Sequence, residues 1–200
     1  MALGVVLGST TQATELSFGG TAGLVGSRLD VDGWGGSARQ SNVALGGFVS
    51  VVLGPSVSFR PGVTYVRRGG EFLDQTSHPG GSLEVVSQAS YEVDYIEIPI
   101  LVRYRLAPDS RFSPVLIAGP VWRLAISSEG SWQGRETDDW VEESGLAVEF
   151  GAGFESGLGR YVGSVDVVYS RSLGEVGDGV FYTEGSTFAD GIGVRLGFAY

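Results

Sequence analysis

The residues with a catalyst's chemistry are few and poorly grouped. His78 is the only histidine of the 200-residue chain, beside Pro79 and close to Asp74 and Ser77. An imidazole oriented by a carboxylate can act as a general base toward a hydroxyl. Here the neighbours are Ser, Gly and Pro, the composition of a solvated loop, so a solvated imidazole is expected. Asp138, Asp139, Glu142 and Glu143 surround Trp140. Carboxylate oxygens can hold Ca²⁺, but this spacing matches no EF-hand loop and reads as a solvated acidic loop. Gly151-Ala152-Gly153 with Gly157 is no dinucleotide fingerprint, because no helical pattern follows it. The nucleophile elbow, the H-E-x-x-H zinc motif and the P-loop are absent. The chain has no Cys, which excludes disulfides, thiolate nucleophiles, zinc ribbons and iron–sulfur clusters. No catalytic residue, metal ligand or cofactor is assigned, and a non-enzymatic protein is expected.

The elements that carry these residues are strands. The composition includes 33 Gly, 10 Phe, 8 Tyr and 4 Trp, with 42% hydrophobic and only 18% charged residues. The aromatics exclude a disordered chain, and so much Gly disfavours a helical bundle. Period-2 patterning predicts eight strands, at roughly 15–26, 43–53, 57–68, 91–106, 112–126, 146–158, 161–172 and 187–200. Gly54-Pro55-Ser56, Ala107-Pro108-Asp109-Ser110 and Gly159-Arg160 form short turns. Ser27 to Asn42, Gly69 to Ser90, Ser127 to Gly145 and Leu173 to Ser186 form long connections. Long and short alternate strictly. That is the layout of an up-and-down transmembrane barrel, and a Greek-key sandwich has no reason to sort its loops so. The predicted fold is therefore an all-β, eight-stranded antiparallel up-and-down transmembrane β-barrel over residues 15–200. Residues 1–14 read as a signal-peptide remnant or an N-terminal arm.

One face of each strand is apolar. Ile96, Ile98, Ile100, Val102, Tyr104 and Leu106 oppose Glu97, Arg103 and Arg105. Leu146, Val148, Phe150, Ala152, Phe154 and Leu158 oppose Glu149, Glu155 and small residues. In the fifth strand Trp122, Leu124 and Ile126 are placed toward lipid, although Val115, Ile117 and Val121 share the other face with Arg123. A soluble lipocalin-like barrel would reverse inside and outside. Against it, the opposing face is crowded with Gly, Ala and Ser, which make room inside a narrow barrel. Tyr and Phe also lie near strand ends on the apolar face, as interfacial girdles require.

Several segments carry a resemblance. Tyr95-Ile96-Glu97-Ile98-Pro99-Ile100-Leu101-Val102-Arg103-Tyr104 resembles the central strand of PorT-like and OmpX-like outer-membrane barrels of Gram-negative bacteria. Ser17 to Leu24, Ala118-Gly119-Pro120, Gly151 to Glu155 and Gly193 to Tyr200 are similar to that family too. The resemblance implies residence in the bacterial outer membrane. It also implies that Phe198 and Tyr200, on an alternating last strand, are the signal read by the barrel-assembly machinery.

The remaining chemistry is interior. Arg60, Arg68, Arg103, Arg105, Arg123 and Arg195 are read as inward, with Glu15, Glu97, Glu149, Glu155 and Asp166. Eight strands leave an interior that side chains can fill, so these charges are expected to pair across strands and plug the lumen. Arg60 or Arg68 is expected to meet Glu97, and Arg103 or Arg123 to meet Glu149 or Glu155. The net charge of −10 disfavours nucleic acid as a partner. The expected partners are outer-membrane lipid, the barrel-assembly machinery and an unnamed ligand of the long loops, with the protein itself a monomer. The expected role is structural, surface interaction, or membership of an outer-membrane assembly. A narrow solute or ion conduit is the alternative, and a lipid-modifying enzyme the third reading.

Overall fold

The computed structural model describes residues 15–31, 37–77, 83–132, 135–137, 144–173 and 187–200. The N-terminal arm at 1–14, His78 and the acidic group at 138–143 lie outside the described residues. The strands are β1 (Glu15–Val31), β2 (Ser37–Val52), β3 (Val57–Ser77), β4 (Leu83–Arg105), β5 (Phe112–Trp132), a short β6 (Arg135–Thr137), β7 (Ser144–Leu158), β8 (Tyr161–Ser172) and β9 (Thr187–Ala199). Each long strand pairs antiparallel with its neighbour, β1 pairs with β9, and β4 with β5, so eight strands close into a barrel. The β6 segment pairs with β5 beyond the barrel wall.

Paired residues do not return to their starting level. From Val25 the ladder runs through Gly193, Val168, Gly151, Ile117, Arg103, Ser58 and Val52, and returns to β1 at Glu15, ten residues away. This stagger tilts the strands, as closure of a small barrel requires.

All eight long strands are present, and several run farther than expected. β3 continues to Ser77 and β4 begins at Leu83, so much of the connection read as a loop is paired strand, as is part of Ser27 to Asn42. Beyond the lipid both faces of a strand can be wet. The period-2 contrast then fades although the backbone ladder continues.

The outer surface is an apolar band. Leu45, Val63, Val102, Leu116, Phe150, Val167 and Leu196 are all exposed on it. Trp122, Leu124 and Ile126 are exposed as expected, while Val115, Ile117 and Val121 are buried inside. Exposed Phe18, Tyr104, Phe112, Phe154, Phe198 and Tyr200 form a belt near the turn end. Toward the loop end, Tyr65 and Tyr169 are exposed two residues before the outward Arg67 and Arg171. Arg67 donates from Nε to Asp94 Oδ1 at 2.7 Å and from Nη2 to Oδ2 at 3.1 Å. These charges mark where the apolar band ends.

Proline and glycine shape the β4–β5 seam. Pairing is interrupted between Pro99↔Val121 and Val102↔Ala118, where Pro99 and Pro120 lack amide donors. Gly119 sits in this gap, and a Cβ there would lie 2.1 Å from the Ile100 carbonyl oxygen. That oxygen belongs to the backbone and cannot rotate away. Gly119→Ala is expected to destabilise the barrel by about 1–3 kcal/mol, read as a lower temperature for the folded-to-unfolded shift in gel mobility. A variant as heat-resistant as the parent would show that the seam has slack.

Candidate functional site: the interior charge network

Residues of alternate parity on each strand face the lumen, and the structure brings nearly all of the expected charges there. They form two clusters and a separate pair. Near the turn end, the Glu155 carboxylate is shared by three arginines. Its Oε1 accepts hydrogen bonds from Arg60 Nη2 at 3.1 Å and from Arg103 Nε at 2.8 Å. Its Oε2 lies 3.1 Å from Arg105 Nε. Arg103 also reaches β8, donating from Nη1 and Nη2 to the two Asp166 oxygens at 2.7 and 2.9 Å. This fork-to-fork geometry is the strongest form of guanidinium–carboxylate contact.

The second cluster centres on Glu97. Its Oε1 accepts from Arg68 Nε and Nη2 at 3.1 and 2.8 Å, and from Arg123 Nε at 3.0 Å. Arg123 then donates to Ser172 Oγ and Ser170 Oγ, both at 2.6 Å. Glu149 pairs with Arg195, whose Nη1 donates to Glu149 Oε1 at 2.7 Å and whose Nη2 donates to Oε2.

Two of the expected pairings form, Arg68 with Glu97 and Arg103 with Glu155. Arg60 turns instead to Glu155, and Glu149 takes Arg195. The reason is register. Glu97 is directly opposite Arg123, whereas Arg195 is opposite Asp166 and its long side chain crosses β8 to reach β7. Glu15 departs from the expectation. It keeps inward parity and lines the cavity at the barrel mouth, but it is exposed at the start of β1 and makes none of these ion pairs.

The interior is also more apolar than the alternation suggested. Val25, Ala44, Val66, Val93 and Tyr95 form a buried cluster toward the loop ends of β1–β4. Leu101, Val115, Ile117 and Val168 form another. Phe48 was not anticipated as a lumen residue. Its ring lies 4.2 Å beneath the Arg60 guanidinium, a cation–π arrangement. A Cβ at Gly19 would come within 2.4 Å of this ring. The available signal was the bulky residue on a strand face otherwise made of Ala44, Gly46 and Ser50.

At the upper edge of the band the Asp94 carboxyl is held below its ordinary value, chiefly by the hydrogen bond from Arg67. The stabilisation from this pair is present above the ordinary carboxylate range. It fades as pH falls through the lowered value.

A salt-bridged lumen inside an apolar, aromatic-belted wall is the physical design of a small outer-membrane barrel. The neisserial surface protein A has a similar fold, with 10% identity, 90% of this chain and 95% of that one covered, and a TM-score of 0.50. Two more solved barrels align over most of their length with lower scores. The attachment invasion locus protein Ail of Yersinia pestis has 13% identity, 93% and 99% coverage and a TM-score of 0.49. OprG of Pseudomonas aeruginosa has 12% identity, 92% and 94% coverage and a TM-score of 0.44. No curated protein matches the chain in sequence. The outer membrane protein beta-barrel domain matches residues 10–176. The chain therefore belongs to the outer membrane protein beta-barrel domain family and resides in the bacterial outer membrane.

Proposed function

We propose that the protein is a non-enzymatic outer-membrane barrel with a plugged lumen, whose long hairpins face outward as a structural or interaction surface. The observation that carries this reading is Arg103. Its side chain is 1% exposed and ties β4 to β7 and β8 through Glu155 and Asp166. The polar groups gathered in the lumen are guanidinium, carboxylate and hydroxyl groups engaged largely with one another, an arrangement suited to holding strands together. Placement among PorT-like or OmpX-like barrels belongs to this proposal and rests on the sequence resemblance. So does recognition by the barrel-assembly machinery through Phe198 and Tyr200. Both are exposed on the outer face, and Tyr200 exchanges backbone hydrogen bonds with Phe18 at 2.8 and 3.0 Å.

A narrow conduit is the second reading. A cavity of about 390 Å³ at the turn end and one of about 40 Å³ deeper inside share Arg60 in their walls. The buried cluster of Val25, Ala44, Val66, Val93 and Tyr95 stands beyond them toward the loops, and favours the plug. Planar-bilayer recording tests the choice. The parent protein is expected to give no steady conductance. A steady current whose ion selectivity changes in Arg103→Ala would overturn the plug and establish the conduit.

A further inference from the structure

The lumen charges do not balance. Among the described residues, Arg60, Arg68, Arg103, Arg105, Arg123 and Arg195 meet four carboxylates in these contacts, Glu97, Glu149, Glu155 and Asp166, and Glu15 at the barrel mouth adds a fifth. The surplus is most accessible at the turn end, where Arg60, Arg105 and Arg160 line the larger cavity with Glu155 and Glu15. We propose that this cavity is a binding site for a phosphate group, presented by a phospholipid headgroup or by free inorganic phosphate.

Donor capacity supports the assignment. Glu155 already serves three guanidiniums. The Arg60 side chain is 10% exposed, and its buried Nε has no hydrogen-bond partner. Arg105 Nε approaches Glu155 without donating to it, and the Arg105 side chain is 27% exposed. Arg160 stands at the mouth, its guanidinium 4.7 Å over the Tyr200 ring and donating to Tyr161 Oη at 3.1 Å. Three guanidiniums in the wall of one cavity suit a group with several acceptor oxygens, which a single carboxylate cannot supply.

Size and surroundings agree. About 390 Å³ lies within the range of small-ligand cavities. Leu16, Val162 and Tyr200 add an apolar edge to the cavity, which suits the glycerol and acyl portion of a lipid beside its phosphate.

The test uses the folded protein in uncharged maltoside micelles, titrated with inorganic phosphate and separately with dihexanoyl phosphatidylglycerol, by calorimetry and ³¹P NMR. Saturable one-site binding of at least one probe is expected, weakened at least tenfold in Arg105→Gln and unchanged in Arg171→Gln on the outer face. Arg105→Gln leaves Glu155 paired with Arg60 and Arg103, and folding is checked by gel mobility. If that variant misfolds, Arg160→Gln at the exposed turn replaces it with the same expectation. Binding of the lipid alone assigns the site to a headgroup, and binding of both assigns it to the phosphate itself. No binding of either probe, or equal loss in the lumen and outer-face variants, would overturn the proposal.

Discussion

Glu97→Ala is expected to lower the unfolding free energy by about 3–5 kcal/mol, the usual consequence of removing one member of a buried ionic group. The carboxylate is the common acceptor for Arg68 and Arg123, whose side chains are each 4% exposed. Without it, two guanidiniums face each other in a space closed to bulk water. The comparison is Asp94→Ala, which breaks a pair whose Arg67 side chain is 47% exposed, so that a loss of at most about 1 kcal/mol is expected. Urea unfolding from lipid vesicles, followed by gel mobility and far-ultraviolet circular dichroism, reads both variants on one scale. Equal shifts would mean that Glu97 contributes no more than a surface contact, and the interior would have to be held by its apolar clusters alone.

The contrast between these two carboxylates shows which features were legible in the sequence. Both lie on β4, three residues apart, so parity alone sends Glu97 inward and Asp94 outward. The same parity placed Trp122, Leu124 and Ile126 in lipid although Val115, Ile117 and Val121 made the fifth strand ambiguous. There the charge on Arg123 identified the inner face, since an unpaired guanidinium is costly in hydrocarbon. Parity says nothing about partners. Those depend on the stagger, which carries Glu149 to Arg195 and Arg60 to Glu155, and stagger is a property of closure around eight strands that no single strand encodes. Phe48 escaped notice for a related reason. Its space is made by Gly19 and Gly62 on neighbouring strands, and only the paired register brings the three together. The strand extensions of β3 and β4 were missed because patterning reports the difference between two environments, and above the apolar band that difference weakens.

Arg195 and Glu149 allow the pairing itself to be separated from the volume it fills. They form a two-membered, doubly hydrogen-bonded unit, with Glu149 1% and Arg195 11% exposed. Glu149→Ala alone is expected to cost about 3–5 kcal/mol, because Arg195 is left charged and enclosed. Replacing the pair together, Glu149→Leu with Arg195→Met, removes both charges and keeps most of the bulk. Its expected cost is well below that of the single change, since buried pairs exchanged for apolar residues of similar size are often neutral or stabilising. The difference between the double variant and the sum of its singles is the coupling energy of the pair. A double variant as unstable as the sum would show that each side chain acts through separate neighbours. Asp166, the register partner of Arg195, would then be the residue to examine. A double variant close to the parent, and still silent in planar bilayers, would show that filling the lumen keeps the barrel closed and that opposite charge selects which side chains fill it.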